Sequence, residues 1–303
     1  NFEFLNRYWP VLAQLGANAE NYLYSDPNAC IYKLGMFAER LVQEILVFEH
    51  MDEPKTDNTH ANRIRLLKRA GLLPHEIDNT LYVLRKTRNS AVHAGTDSVD
   101  EAKTLLSMTY NLAVWFMETY GDWGFIAEDF VMPEEVHQAD LKSVIDDQEK
   151  KIAELSKKLA QVTTAVSGTT QKERAKRAET VSSMMQWNEA QTRCLIDEQL
   201  RKAGWEADTS NLRYSKGTRP VKGRNIAISE WPTNSAFYKN GYADYAFFIG
   251  EKLVALMDAK KASEDVASTI DVQVKDYAKH IKEEHAGYVI GSWGDYQVPF
   301  LFA

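Results

Sequence analysis

The chain has 303 residues and a formal charge of −7, with 44% hydrophobic and 26% charged side chains. That composition is globular, suits two to three domains, and excludes a disordered, collagen-like or disulfide-scaffold chain. No apolar run approaches the roughly 20 residues of a membrane span and the N-terminus lacks a signal-peptide pattern, so a cytoplasmic location and no membrane contact are expected.

Residues 1–133 carry −6 of the charge and read as an all-α bundle. Apolar residues recur at three-and-four spacing in Met36, Phe37, Leu41, Ile45 and Leu46, and again in Leu105, Met108, Leu112, Trp115 and Phe116. Asp26-Pro27-Asn28 is a helix start, and Gly71 and Pro74 interrupt the middle of the segment. Trp115, Phe116, Tyr120 and Trp123 fall at near-helical spacing and read as core. Val131-Met132-Pro133 closes the domain. Cys30 here and Cys194 downstream lack metal-ligand spacing and read as reduced structural thiols.

Residues 134–188 turn polar and helix-favouring, and the charge over 134–189 is −1. Ile145, Ile152, Leu159 and Val166 occupy one heptad position, and Gln148, Leu155 and Val162 the other, until Gly168-Thr169-Thr170 interrupts. This is a coiled-coil seam of about three heptads, or a helix lying on a neighbouring domain; either reading makes it a spacer.

Residues 189–303 read as α/β and are net neutral from residue 190 onward. A helix runs from Glu189 to Lys202 and stops at Ala203-Gly204-Trp205. A basic stretch follows, with Arg213, Lys216, Arg219, Lys222 and Arg224 and no acid between Thr209 and Ser229; it is a phosphate-tracking patch or a solvated loop. Asn225 to Trp231 reads as a strand ended by Pro232, and Tyr242–Ile249 and Leu253–Ala259 as a hairpin about Gly250-Glu251-Lys252. Leu253 is expected on the face of Tyr245, Phe247, Ala255 and Met257, with Ala246, Phe248, Val254 and Leu256 opposite. Apolar residues on both faces imply a sheet covered on two sides.

A hairpin centred on Glu251 opposes Asp244 and Asp258, and Lys260, two residues on, shares the face of Asp258. Two carboxylates opposed in a sheet repel and need a counter-charge. Either Lys260 bridges them, or a hard divalent cation such as Mg²⁺ binds between them.

Asp244 followed by Asp258-Ala259-Lys260 resembles the PD-(D/E)xK nuclease signature. With Thr192-Arg193-Cys194-Leu195-Ile196-Asp197, Ala203-Gly204-Trp205, Glu230-Trp231-Pro232-Thr233, Gly241-Tyr242-Ala243-Asp244-Tyr245, and Gln273 with Tyr277, it looks like the nuclease region of the R (restriction and motor) subunits of type I restriction-modification enzymes. The opening Asn1-Phe2-Glu3-Phe4-Leu5 and the helical first segment resemble the N-terminal part of the same subunits.

The resemblance implies an all-α N-terminal domain (1–133), a helical connector (134–188) and a restriction-endonuclease-like α/β domain with a central mixed sheet (189–303). It implies Mg²⁺-dependent hydrolysis of double-stranded DNA. Asp244, Asp258 and the Ala259 carbonyl match the metal ligands, and Lys260 matches the lysine that orients the attacking water. Gln273 and Tyr277 match a pair near the scissile strand. Glu189 matches an acid that holds a metal-bound water, and the place of Glu230 stays open. The implied partners are the modification (methyltransferase) and specificity subunits of a bacterial complex. ATP belongs to a motor domain: no Gly-xxxx-Gly-Lys-Ser/Thr loop occurs in this sequence, and the motor is expected after Ala303. The chain begins with Asn and ends on the apolar run Val298–Ala303, as expected of the front portion of a longer subunit.

A competing site lies in the first segment. Arg88-Asn89-Ser90-Ala91-Val92-His93 resembles the Arg-x4-His signature of HEPN ribonucleases, in which imidazole and guanidinium would serve metal-independent RNA cleavage. The −6 charge of that segment disfavours gripping RNA, and a degenerate domain for subunit contacts is the alternative. The remaining histidines, among them His60 and His285, are expected at the surface.

Overall fold

The computed structural model describes residues 1–54, 57–94, 98–135, 150, 152, 170–234, 241–259 and 274–303, without the side chains of residues 90 and 92–94. The heptad seam between 145 and 166, apart from Ile152, lies outside the described residues, as do Lys260 and Gln273. The chain divides into two compact units, Asn1–Gln186 and Trp187–Ala303. Among the described residues no helix is long and apolar enough to cross a membrane.

The first unit is helical: α1 (Pro10–Tyr22), α2 (Pro27–Phe48), α3 (His60–Arg69), α4 (His75–Ala94), α5 (Val99–Tyr120) and α6 (Gln171–Met184). Asp26 caps α2 by accepting from the Ala29 amide at 2.9 Å, with Pro27 in the first turn where no amide hydrogen is required. Phe37, Leu41, Ile45 and Leu46 of α2 and Leu105, Met108, Leu112, Trp115 and Phe116 of α5 are buried, as their spacing foretold, while Met36 of the α2 stripe is half-buried. Trp123 departs from expectation. It is 50% exposed beyond the end of α5, and the Arg177 guanidinium lies 4.9 Å from its ring centroid.

Helix α6 falls in the segment that the sequence assigned to a spacer, yet it packs on the first unit. A capping box between Thr170 and Glu173 starts it. The Trp115 indole donates to the Ala178 carbonyl at 3.1 Å, and Ser182 donates to Glu76 at 2.8 Å. A bundle core therefore has an α6-shaped complement that heptad counting could not register, because the apolar positions of α6 are few: Ala178 and Val181 are its buried apolar residues.

The second unit carries α7 (Glu189–Lys202), a five-stranded sheet and the short α8 (Lys275–Lys279). The strands are β1 (Glu206–Ala207), β2 (Asn225–Thr233), β3 (Gly241–Ile249), β4 (Lys252–Met257) and β5 (Phe300–Phe302), in spatial order β1-β2-β3-β4-β5. The β2-β3 and β3-β4 pairs are antiparallel and the outer pairs parallel, which is the expected mixed sheet. One face packs Ile226, Ile228, Phe248 and Leu256 against Val274, Tyr277, Ala278 and Ile281; the other sets Ala227, Tyr245 and Phe247 under Ile196 and Leu200 of α7.

Two local irregularities differ from the sequence reading. The strand β2 runs through Pro232 to Thr233, because β1 pairs only with Ile226 and Ala227 and leaves the proline no ladder partner on that side. In the hairpin the turn is Gly250-Glu251, with Gly250 at φ +60°, and pairs Ile249 with Lys252 and Phe248 with Leu253. A bulge then leaves Val254 without an opposite number, and pairing resumes at Phe247 with Ala255. Leu253 therefore packs with Phe248 and Leu256, while Val254 joins Ala255 on the face of α7, the reverse of the expected assignment.

Candidate active site

The hairpin register ends at Tyr245 opposite Met257, so one further step sets Asp244 against Asp258, as the spacing foretold. Asp258 follows the last residue of β4, where its amide donates to the Phe302 carbonyl of β5 at 3.2 Å. Its side chain is buried, and that of Asp244 is 18% exposed. Burial and the facing Asp258 push the Asp244 carboxyl above the usual carboxylate range, against the pull of the Ala259 amide and Arg193. The Ala259 N–H donates to Asp244 Oδ2 at 2.7 Å, which pins the carboxylate to the chain beyond β4.

On the other side of β3, Ser229 pairs with Tyr245 and Trp231 with Ala243, so Glu230 of β2 stands level with Asp244. Glu230 has φ +53°, a left-handed conformation that costs a non-glycine residue about 1–2 kcal/mol. The twist interrupts strand alternation: Ile228 and Trp231, three apart, enter the same core cluster. A strained residue on an otherwise regular central strand marks a place where side-chain aim matters more than pairing.

The residue that joins these acids is Arg193 of α7. Its Nη2 lies 2.8 Å from Asp244 Oδ1 and 2.7 Å from Glu189 Oε1, and its Nη1 lies 3.4 Å from Glu230 Oε1. Arg213 Nη1 reaches the same Glu230 oxygen at 3.2 Å. Burial works against the Arg193 guanidinium, yet Asp244, Glu189 and Glu230 hold its pKa above the ordinary value.

Helix α7 is fixed in place one turn further on. Asp197, buried, accepts from the Thr209 amide at 2.7 Å, the Thr209 hydroxyl at 2.9 Å and the Tyr245 hydroxyl at 3.0 Å. Asn188 and Gln191 form a capping box at its start. At its end Gly204, at φ +92°, allows the Trp205 amide to return to the Leu200 carbonyl at 3.0 Å, and the Trp205 ring meets Phe247 at 5.0 Å.

The expected site residues thus separate into groups. Asp244, Asp258 and Ala259 come together. Glu189 stands 78% exposed at the start of α7 with Arg193 as its ion-pair partner. Tyr277 of α8 is buried in the core cluster beneath the sheet. In the basic stretch, Arg213 faces Glu230, Arg219 lies 3.6 Å over the Tyr214 ring, Arg224 is ion-paired with Glu206, and Lys216 and Lys222 are exposed. Arg193 was not singled out as a site residue, although its signal was present: it lies four residues after Glu189 and four before Asp197, so all three share a helix face.

The Arg-x4-His residues lie on α4. Arg88 Nη1 is ion-paired with Glu39 Oε2 at 2.6 Å and its guanidinium lies 5.5 Å from the Tyr32 ring centroid, while Asn89 is exposed and the His93 side chain lies outside the described residues. Glu39 also receives Arg63 at 3.1 Å. His60 and His285, expected at the surface, are buried instead. Burial drives the His60 pKa down to about 4, with Glu39 opposing and Arg88, Arg85 and Arg63 adding to the fall.

Residues 206–303 match the family model described as the second domain of the type I restriction enzyme EcoKI endonuclease subunit. Residues 17–158 match a domain of unknown function (DUF4145). The type I restriction enzyme EcoKI endonuclease subunit of Escherichia coli (strain K12) is 30% identical over an alignment that covers 89% of this chain and 27% of that subunit. The chain therefore spans about a quarter of the length of this curated relative. No solved structure matches it. With a family model across its sheet and an alignment along nearly all of its length, the chain is similar to the endonuclease subunits of type I restriction enzymes.

Proposed function

We propose that residues 187–303 form the DNA-cleaving unit of a type I restriction enzyme and hydrolyse phosphodiester bonds of duplex DNA with Mg²⁺. The observation that carries this reading is the Asp244–Asp258 juxtaposition, two carboxylates kept together at the end of a hairpin in spite of their repulsion. Hard oxygen donors of this kind suit a cation that takes one or two carboxylates and fills its remaining positions with water and phosphate. Asp244, Asp258 and the Ala259 carbonyl would hold that cation. The bound cation would supply Lewis acidity at the phosphate and a more acidic water.

The protein's own groups do the rest. The Ala259 amide orients Asp244 through Oδ2. Lys260 orients the attacking water and offsets phosphorane charge, as in the nucleases this segment resembles. Gln273 supports the scissile strand, Tyr277 packs beneath the sheet that carries the site, and the exposed Lys216 and Lys222, with Arg213, Arg219 and Arg224 beside them, offer charge to the phosphates. Modification and specificity subunits supply target recognition, and ATP-driven translocation resides in the rest of the subunit.

The test uses the full subunit assembled with its partners. Asp244→Asn, Asp258→Asn and Lys260→Ala are each expected to lower Mg²⁺-dependent cleavage by about 10²-fold or more while ATP hydrolysis continues. Cleavage at the unmutated rate with intact ATP turnover sinks the assignment. The engagement of Arg88 by Glu39 and Tyr32 gives no support to a separate ribonuclease site on α4.

A further inference from the structure

Asp244 Oδ2 is committed to the Ala259 amide, and Oδ1 to the Arg193 guanidinium at 2.8 Å. A divalent cation bound through Oδ1 would stand within a few ångströms of that guanidinium, at a distance where like charges in a half-buried site repel strongly. The same guanidinium has two other acids in reach: Glu230, one-third exposed and shared with Arg213, and Glu189, exposed on the preceding helical turn. The helix itself is not free to withdraw, since Asp197 is held by Thr209 and Tyr245 one turn beyond. Relief must come from the side chain alone.

We infer that Arg193 and the divalent cation compete for Asp244, and that Glu230 and Glu189 keep the guanidinium when Asp244 is surrendered. Arg193 then acts as an exchangeable counter-ion. It quiets the carboxylate pair while no metal is bound, and it is retained beside the site once metal enters. The left-handed Glu230 acquires a reason for its strain, because that conformation holds its carboxylate level with Asp244 and within reach of Arg193. Arg193 is a positioning residue in this scheme. The inference rests on the reading of Asp244 as a metal ligand, and the measurement separates the two.

Mn²⁺ is titrated into the 303-residue chain in high salt, where exposed charges are screened, and followed by calorimetry. Asp244→Asn is expected to abolish binding. Arg193→Gln is expected to tighten it about tenfold, by removing the competitor. Glu230→Gln is expected to weaken it several-fold, and to have no further effect in the Arg193→Gln background, since the two act through one exchange. Should Arg193→Gln not fold, Glu189→Gln at its exposed position substitutes, with several-fold weaker binding expected. Binding that is lost in Asp244→Asn but unchanged in Arg193→Gln, or additive effects of Arg193→Gln and Glu230→Gln, overturns the competition and leaves the metal reading standing. Binding indifferent to Asp244→Asn, or absent from both the unmutated and Arg193→Gln chains, overturns both.

Discussion

Arg174 of α6 donates through Nε and Nη2 to the two carboxylate oxygens of Glu49, 2.7 Å in each case, with both side chains buried. The fork ties a helix that follows the 136–169 stretch to the end of α2. Removing one partner strands a buried charge, so Arg174→Met is expected to cost about 3–5 kcal/mol in urea unfolding followed through the first unit. Adding Glu49→Leu should restore most of that loss, because a packed apolar pair replaces an ion pair at little net cost. A double variant as unstable as the single would contradict this account.

Gly35 of α2 lies against the stem of Arg88, and a Cβ placed there would come within 2.3 Å of Arg88 Cδ and 2.6 Å of its Cβ. The Arg88 Cδ can rotate away, but its Cβ is the root of the side chain and cannot swing aside without moving α4. Gly35→Ala is expected to destabilise the helical unit by about 1–3 kcal/mol, net of its gain in helix propensity. Thermal unfolding checks it, and a rise in melting temperature would mean that the helices separate without penalty.

His60 lends the same unit a pH dependence. Its folded-state pKa lies near 4 against an ordinary value of 6.5, so folding favours the neutral ring. The sign follows: this contribution is full above about pH 6.5 and is lost as pH falls toward 4, by up to about 3 kcal/mol. The wild-type minus His60→Phe difference in unfolding free energy should shrink by that order between pH 7 and pH 4.5. A difference independent of pH would refute the assignment.

Glu230 separates backbone strain from side-chain chemistry. Glu230→Gly relieves the positive φ and Glu230→Gln does not, so the glycine variant should be the more stable of the two by about 1 kcal/mol. Both lose the carboxylate, and both should show the same weakened Mn²⁺ binding. Equal stability of the two variants in urea would show that the left-handed conformation costs nothing here.

Much of the second unit was legible because its signals are local. The Gly204 stop and the alternating apolar runs put the end of α7 and β2, β3 and β4 where they lie, and counting from the turn brought Asp244 to Asp258. What escaped depends on contacts remote in sequence. Ser229-Glu230-Trp231 reads as an ordinary strand, and nothing in it announces a left-handed glutamate. Arg193 acquires its importance only when β2 and β3 bring Glu230 and Asp244 beneath α7. In the first unit, α6 looked like a polar spacer because its hold comes from Arg174, Ser182 and one carbonyl, polar contacts that hydrophobic periodicity does not count.

The bulge at Val254 has an arithmetic consequence. Around a two-residue turn at 250 and 251, every opposed pair joins an even-numbered residue to an odd-numbered one, as Ile249 with Lys252 and Phe248 with Leu253 do. Asp244 and Asp258 are both even, and a regular ladder around that two-residue turn would not set them face to face. The one supernumerary residue changes the parity, after which odd meets odd at Tyr245 and Met257 and the two acids meet next. Deletion of Val254 should therefore remove the bulge and leave Asp258 opposite Asp244, whereas a ladder that kept Val254 and paired it with Phe247 would set Asp258 opposite Ala243.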